Sequence, residues 1–572
     1  MERTPTGSRR LTGPNLFLDS FGVALEAPLR ESEIELAEQW RQAVQALWND
    51  LGWGNPTTTR RAYGSHTTLA ASVPEDVLYT ACEALETAWA QAVEACDGEA
   101  ARPPAKSFAD LGRMSAEERS PRRLQIADLA AEHGVRFFAD DEFVSVGSGV
   151  GCQVWPVDGL PAPDQIDWAS VSDIPVALVT GTNGKTTTVR MLAAIARAAG
   201  LTAGNTSTDG VELAGRTILE GDYTGGEGAR ALMRDSRVEV AFLEVARGGM
   251  LRRGLPVERA DVAYVSNIGT DHLGEYGIES LDELAQVKLI VGQAVQDSGE
   301  LVLNADDPVL LRVAADLGYS WDGVSAGEPA SERDPAFLRR RGRLGVDRGK
   351  GFVAWMEQAD APATLGGVAV HNVYNALGAM AVADRLGLSR AAITDGLASF
   401  RSDPATNPGR LNHFQFGGMS AIVDYAHNPE GLDLVMRMAR DLDPRRLLVV
   451  IGQAGDRDDA SIAAMVNRCA AAEPDKVIVK TMEKYGRGRD PHQVADLVAQ
   501  RFRDAGLPEA ALGRANDELT AVMDALRWGR DGDLLLLLSH AARVNVLQLM
   551  QTLIEQDWHP GQELPEPDRS TV

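Results

Sequence analysis

The residues best equipped for chemistry lie between Gly181 and Thr187, in the run Gly-Thr-Asn-Gly-Lys-Thr-Thr. Glycines let a backbone fold so that several N–H groups face one point, and a helix N-terminus adds partial positive charge there. In that setting the Lys185 ammonium suits β and γ phosphate oxygens, and the Thr186 hydroxyl suits magnesium. Val179 stands where the strict phosphate-loop pattern has a glycine, five residues before Gly184, so the loop is a shorter variant. The apolar run from Val176 to Val179 and helical periodicity to Ala199, stopped by Gly200, predict a strand, a phosphate loop and a helix.

Two further residues stand out by position. Glu244 closes an apolar run that begins at Val240, which places a carboxylate at the carboxyl edge of a sheet beside the phosphate loop, where it is suited to hold magnesium. Lys288 falls on the apolar stripe of a helix opened by a Ser280/Glu283 capping box, with Leu281, Leu284, Val291 and Val295 as its neighbours. A lysine facing the core is costly unless paired or chemically altered. It either snorkels to solvent or aims at the phosphate site, together with His272 one loop earlier.

These residues need a scaffold, and the 572-residue chain is long enough for roughly three domains. Lys and Arg total 56 against 82 Asp and Glu, a net charge of −26 without a long basic block, so a duplex nucleic acid partner is not expected. Arg339, Arg340, Arg341 and Arg343 read as a solvated loop. The four cysteines are scattered, which argues against a disulfide framework or zinc site, and no apolar run reaches about 18 residues. A reducing, soluble, cytoplasmic setting is the expectation, with no membrane contact.

Residues 1–165 read as an α+β module: strand, turn and strand between Leu11 and Leu25, helices over 32–51, 74–96 and 115–133, and short strands at 135–139 and 143–147. Trp40, Trp48, Trp53 and Trp89 are expected in its core or interface. A Pro- and Asp-rich linker, 156–173, follows. From Ile174 strands and helices alternate, the signature of a mostly parallel sheet, giving a central α/β domain over 166–403. Beyond a hinge at 404–409, residues 404–572 read as a carboxy-terminal α/β domain. Its loops Gly452–Asp459, Tyr485–Arg489 and Ser539–Arg543 follow strands and are expected to face one cleft.

GTNGKTT (Gly181–Thr187), Glu244, NIGTDHLG (Asn267–Gly274), Lys288, HNVYN (His371–Asn375), Gly409-Arg410 and DYAHNP (Asp424–Pro429), in that order, resemble the motif set of the Mur ligase superfamily. GDYTGGEGAR (Gly221–Arg230) and LEVARGGMLRRGL (Leu243–Leu255) are similar to the Mur-type half of cyanophycin synthetases, as is RRLTGPNL (Arg9–Leu16) to the start of their amino-terminal domain. The resemblance implies an ATP- and magnesium-dependent amide ligase acting through an acyl phosphate, joining an amine, arginine in that family, to a carboxylate of a peptide-like acceptor. It implies that Gly181, Thr182, Asn183, Gly184, Lys185, Thr186 and Thr187 cradle the phosphates. Thr186 and Glu244 then hold one magnesium ion, and His272 with a carbamylated Lys288 a second. By resemblance Asn372 and Asn375 contact adenine, Arg410 phosphate and Asp424 ribose; an Asn pair at a helix start is by itself more often a cap. His427 is expected to line the cleft. Arg487 and Arg489 are either surface charge or positive forks for an acidic acceptor or the carboxylate of the incoming amino acid.

One departure is large. In that family an ATP-grasp domain separates the amino-terminal and Mur-type parts; here FVSVGSGVG (Phe143–Gly151) stands where it would begin, and the phosphate loop follows about thirty residues later. One ligation step is therefore expected rather than a complete two-residue polymerase cycle. A homo-oligomer or a separate partner enzyme is compatible with this. The competing expectations are a quiet nucleotide-binding half and a folylpolyglutamate or cell-wall type ligase.

Overall fold

The computed structural model describes residues 3–97, 106–271, 273–327 and 336–569, which leaves His272 outside the described residues. At the amino terminus, strands Ser8–Leu11, Gly22–Ala27, His66–Ser72 and Thr58–Tyr63 pair antiparallel in that spatial order. Helix Ile34–Asp50 buries Leu36, Ala37, Trp40, Val44, Leu47 and Trp48, one helical face of an otherwise polar segment. Trp40, Trp48, Trp53 and Trp89 are all core residues, 8% exposed or less. Their ring N–H groups find partners where the fold supplies them: Trp48 Nε1 donates to Ser72 O at 2.8 Å, and Trp53 Nε1 to Ser115 Oγ at 3.0 Å.

The helix expected over 115–133 is two helices, Phe108–Glu118 and Pro121–Glu132. Pro121 has no N–H to continue the first helix and its fixed φ suits the first position of the second. A three-stranded sheet follows, Phe137–Ala139, Phe143–Val146 and Gln153–Pro156. The segment after its second strand is seated on the central domain: Val150 N donates to Val238 O at 2.9 Å, and a Cβ on Gly149 would lie 2.2 Å from that same carbonyl.

Among the described residues the central sheet has eleven strands, parallel through its middle and antiparallel at both margins. Arg339 to Arg343, expected as a loop, form instead the turn of a marginal hairpin, Phe337–Arg340 with Arg343–Val346, because Phe337 and Leu344 on either side are fully buried. The phosphate-loop strand Val176–Thr180 lies between Val240–Glu244 and Ala260–Val265, and all three are buried almost throughout, which explains their continuous apolar runs. In this register Glu244 pairs with Val179 and Val265 with Thr180, so Glu244 and the loop after Val265 meet the phosphate loop at one sheet edge. The carboxy-terminal sheet runs Asn412–Phe416, Met419–Asp424, Asp533–Leu538, Arg446–Ile451, Lys476–Lys480, Leu512–Ala515, parallel except for its first strand. Among the described residues no helix is long and apolar enough to cross a membrane.

Helix Lys185–Ala198, which carries the phosphate-loop lysine, is backed by helix Arg390–Ser399 at very close range. A Cβ on Gly396 would stand 2.4 Å from Ile195 Cα and 2.7 Å from Ile195 N, both backbone atoms that cannot rotate away. Gly396→Ala is therefore expected to destabilise the central domain by about 1–3 kcal/mol, the usual cost of overpacking, seen as a lower urea midpoint with an unchanged slope; an unchanged midpoint would contradict this packing.

Candidate active site

The phosphate loop is braced from outside itself. Thr182 N donates to Asn267 O and Asn183 N to Asn267 Oδ1, each at 2.9 Å, while Ser266 Oγ and Asn267 Nδ2 donate to Asn183 O at 2.6 and 3.0 Å. Gly269 N completes the brace by donating to Thr182 Oγ1 at 2.9 Å. The Thr182 and Asn183 N–H groups are thus spent on the neighbouring loop, and the donors directed at an anion belong to the first helical turn, Lys185 to Thr187, which has no intrahelical acceptors. Gly181 and Gly184 have φ of 138° and 91°. A Cβ would meet Ser266 Oγ at 1.9 Å in the first case and Asn375 Oδ1 at 2.2 Å in the second, so angle and space both require glycine.

Thr186 Oγ1 donates to Glu244 Oε2 at 2.7 Å. Glu244 is 1% exposed; burial pushes its carboxyl above the usual range, with the Lys185 charge pulling against it. A hydroxyl and a buried carboxylate in contact at the head of a phosphate-binding helix are oxygen donors of the kind magnesium takes alongside phosphate, so this pair fits that ion. Among the described residues no group of three or more His, Cys, Asp or Glu forms a metal cage. Lys288 does not snorkel: it is 4% exposed and lines the same cavity as Lys185 and Glu244. Burial drives its ammonium well below the ordinary lysine range, and the neighbouring Lys185 charge pushes the same way.

That cavity, about 2200 Å³, takes in the phosphate loop from Gly181 to Thr187 together with Asn372, Asn375, Arg410, Asp424, His427 and Arg487. Several of these are already engaged. Asn372 Nδ2 donates to Ala363 O at 2.8 Å and its Oδ1 accepts from Asn375 Nδ2 at 3.0 Å. Asp424 accepts backbone N–H groups from Leu411 and Ala426, both at 2.8 Å, so it buckles the hinge to the first loop of the carboxy-terminal sheet. Arg410 lies over the Tyr425 ring at 4.6 Å, and His427 Nε2 is 3.6 Å from Asp271. Arg487 is paired with Asp456 at 2.6 Å. Arg489 does not line the cavity: it donates to Arg457 O at 3.1 Å and Asp459 at 2.9 Å, and braces its own loop. The three carboxy-terminal loops do face the one cleft, through Gln453, Arg457, Tyr485, Arg487, His540 and Arg543.

Sequence reasoning missed the residues that fasten the lobes together. Asn183 and Asn428 exchange side-chain hydrogen bonds at 3.2 and 2.9 Å, Thr270 Oγ1 donates to Glu430 at 2.6 Å, and Arg457 pairs with Asp271 at 2.9 Å. Asp209, at a hairpin tip, receives Arg190 at 3.2 Å and Arg543 at 2.7 Å. Burial raises its carboxyl, but Arg410, Arg543 and Arg190 together hold it below the usual range. His371 was visible in its motif yet passed over; it lines the cavity, its Nδ1 has no hydrogen-bond partner among the described residues, and burial pushes the imidazole down to about 4. The cavity also extends to the amino-terminal module, where Arg10, Glu118 and Asp140 line it opposite Arg230, Arg252 and Arg253 of the central domain.

Residues 179–383 match the Mur ligase middle domain and residues 409–540 the Mur ligase glutamate ligase domain. The chain is 37% identical to a cyanophycin synthetase of Synechocystis sp. over 401 residues, 67% of this chain and 45% of that protein. It is 30% identical to a UDP-N-acetylmuramoyl-L-alanyl-D-glutamate--2,6-diaminopimelate ligase of Parasynechococcus marenigrum over 380 residues, 63% of this chain and 71% of that protein. E. coli FolC, solved in complex with DHPP and ADP, aligns over 67% of this chain and 89% of that chain at 21% identity, with a TM-score of 0.49. This chain spans about half the length of the cyanophycin synthetases it matches.

The Thr186–Glu244 pair makes a direct prediction. Glu244→Gln keeps the shape and the Thr186 contact but removes the charge, so Mn2+ retention in the presence of ADP, read by electron paramagnetic resonance, is expected to weaken by roughly tenfold or more. Unchanged retention would remove Glu244 as a metal ligand.

Proposed function

This chain belongs to the Mur ligase family of ATP-dependent ligases, and from that premise we propose that it forms an amide bond between an amino acid and a carboxylate of an acidic, peptide-like acceptor. The acceptor carboxylate takes the γ-phosphoryl group of ATP to become an acyl phosphate, and the amine then displaces phosphate. Arginine is the amine indicated by the cyanophycin-synthetase-like stretches Gly221–Arg230 and Leu243–Leu255.

The observation that carries the reading is that Lys185, Glu244 and Lys288 share one cavity with the loops of the carboxy-terminal sheet. Phosphoryl transfer asks little covalent chemistry of a protein; it asks for positioning and for compensation of charge. In this reading Lys185 and the first-turn N–H groups bind the phosphates, Arg410 reaches phosphate, Asn372 and Asn375 bound the adenine, and Asp424 the ribose. Thr186 and Glu244 would hold magnesium, and a carbamylated Lys288 with His272 a second ion; the ions supply charge neutralisation on the transferring group. Burial disfavours the Lys288 ammonium, the neutral amine is the form that reacts with carbon dioxide, and the carbamate would put an anion where a cation is costly. Arg10, Arg252 and Arg253 in the cavity lining could receive an acidic acceptor, although carboxylates such as Glu118, Asp140 and Glu227 line it too and Arg230 is paired with Asp140 at 3.4 Å.

The test is a screen of the purified protein with ATP, magnesium, each amino acid and a panel of acidic peptides, reading phosphate release and product mass. Phosphate release that requires both substrates, with a product one amide bond heavier, is expected; release with no amide under any pairing would overturn the ligase reading. Within an active pairing, Lys288→Ala is expected to lose turnover by on the order of a hundredfold or more and to regain part of it with added formate or acetate. Full activity in that variant would remove the carbamate.

A further inference from the structure

The helix that presents Lys288 is not held by the central domain alone. It begins at Leu281, capped by Ser280 and by Glu283, whose Oε2 accepts from Glu279 N and Ser280 N at 2.8 and 3.1 Å. The other oxygen of Glu283 accepts from Arg61 at 2.6 Å, and Arg61 comes from the amino-terminal sheet, 222 residues away. The same guanidinium donates to Gly277 O at 2.7 Å and Tyr276 O at 3.3 Å. One planar fork thus gathers two loop carbonyls and the capping carboxylate, a geometry lysine does not reproduce.

Tyr63, two residues further along the same strand, completes the joint. Tyr276 and Gly277 are consecutive left-handed residues, with φ of 53° and 68°. The space a Cβ would take on Gly277 is filled by the Tyr63 ring, with Cγ at 2.2 Å. Tyr63 in turn donates through its hydroxyl to Glu26, which also pairs with Arg9 at 2.5 Å, and Arg9 lies 5.6 Å from the Tyr276 ring. Arg61 is only 20% exposed as a side chain, so its three hydrogen bonds are shielded from water in a way surface ion pairs are not.

We propose that Arg61 is a positioning residue for the ligation step: through Gly277, Tyr276 and Glu283 it fixes the start of the Lys288 helix, which makes the amino-terminal module a working part of the active site as well as a wall of the acceptor cavity. This rests on the ligase reading for its kinetic consequence and not for its structural one. Without the fork, Tyr276, Gly277 and the capping Glu283 lose their anchor to the amino-terminal module, while Asp271 keeps Arg457, Asp282 keeps Arg312, and the phosphate loop keeps its own brace from Asn267.

The full-length chain tests this in two ways. Hydrogen exchange of Arg61→Ala, read by mass spectrometry without substrates, is expected to lose protection in residues 276–289 and to keep it in residues 176–199; Gly277→Ala, which strikes the same joint from the other side, is expected to reproduce the pattern, and Arg113→Ala, in an exposed pair within the amino-terminal module, is not. In an active pairing, Arg61→Ala is expected to lower kcat by on the order of ten- to a hundredfold with the KM for ATP little changed, and guanidinium at concentrations that leave the wild type unaffected is expected to restore part of the loss. Unaltered protection over 276–289, or a wild-type kcat, would overturn the proposal, as would a loss of protection spread evenly over the whole chain. Because exchange needs no turnover, an inactive wild type would sink the ligase reading and leave this result standing on its own.

Discussion

A negative and a positive side chain, Glu244 and Lys288, are both buried where the central sheet ends, and neither is there cheaply. Their surroundings push each toward its neutral form, Glu244 upward and Lys288 downward, with burial as the first cause in both. Such an arrangement is poor for stability alone, since apolar residues of similar volume would serve the core better. It makes sense when the missing compensation arrives with a ligand, and the open helix N-terminus at Lys185 beside it suits an anionic one.

The rest of the molecule can be understood as what fixes those groups. Three adjacent parallel strands bring Glu244, the phosphate loop and the Ser266–Asn267 loop to one edge. Asn267 then holds the phosphate loop with both ends of its amide, so the turn's shape is set before anything binds. The carboxy-terminal lobe meets the central one through polar contacts, Asn183 with Asn428 and Arg543 with Asp209, and through Leu365, Val368 and Ala369, which pack against its apolar core. Polar contacts of this kind are individually weak against water and suit an interface that opens and closes. Arg61 anchors the opposite wall from the amino-terminal module.

Much of this was legible in the chain. The strand, loop and helix around Lys185 follow from an apolar run, two glycines and a periodic segment, and the structure has each in place. Lys288 stood out by the three- and four-residue spacing of its stripe, and it is buried, but the helix ends at Leu289: Val291 lies in a following 3-10 turn and Val295 opens a strand, so of that stripe only Leu284 is buried with Lys288 on the helix itself. The misses have a common cause. Asp209 and Arg61 act on partners hundreds of residues away, and no local pattern distinguishes them from ordinary surface polar residues; Asn428 is marked locally only as a helix cap before Pro429, which says nothing of Asn183. For Arg489 sequence left surface charge and a substrate fork equally open, because it shows a charge and not the Asp459 beside it. Pro121 carried a helix-breaking signal that periodicity over 115–133 concealed, and the arginines from 339 to 343 looked like a loop because their apolar neighbours, Phe337 and Leu344, are spaced for a strand too short to register.

The central claim is that Thr186 and Glu244 complete an oxygen shell for a divalent ion carried with nucleotide. A crystal grown with a non-hydrolysable ATP analogue and manganese, measured at the manganese absorption edge, tests it most directly. The account predicts an anomalous peak within coordination distance of Thr186 Oγ1 or Glu244 Oε2, with the phosphates against the first turn of the Lys185 helix; nucleotide bound elsewhere, or manganese away from both side chains, would contradict it.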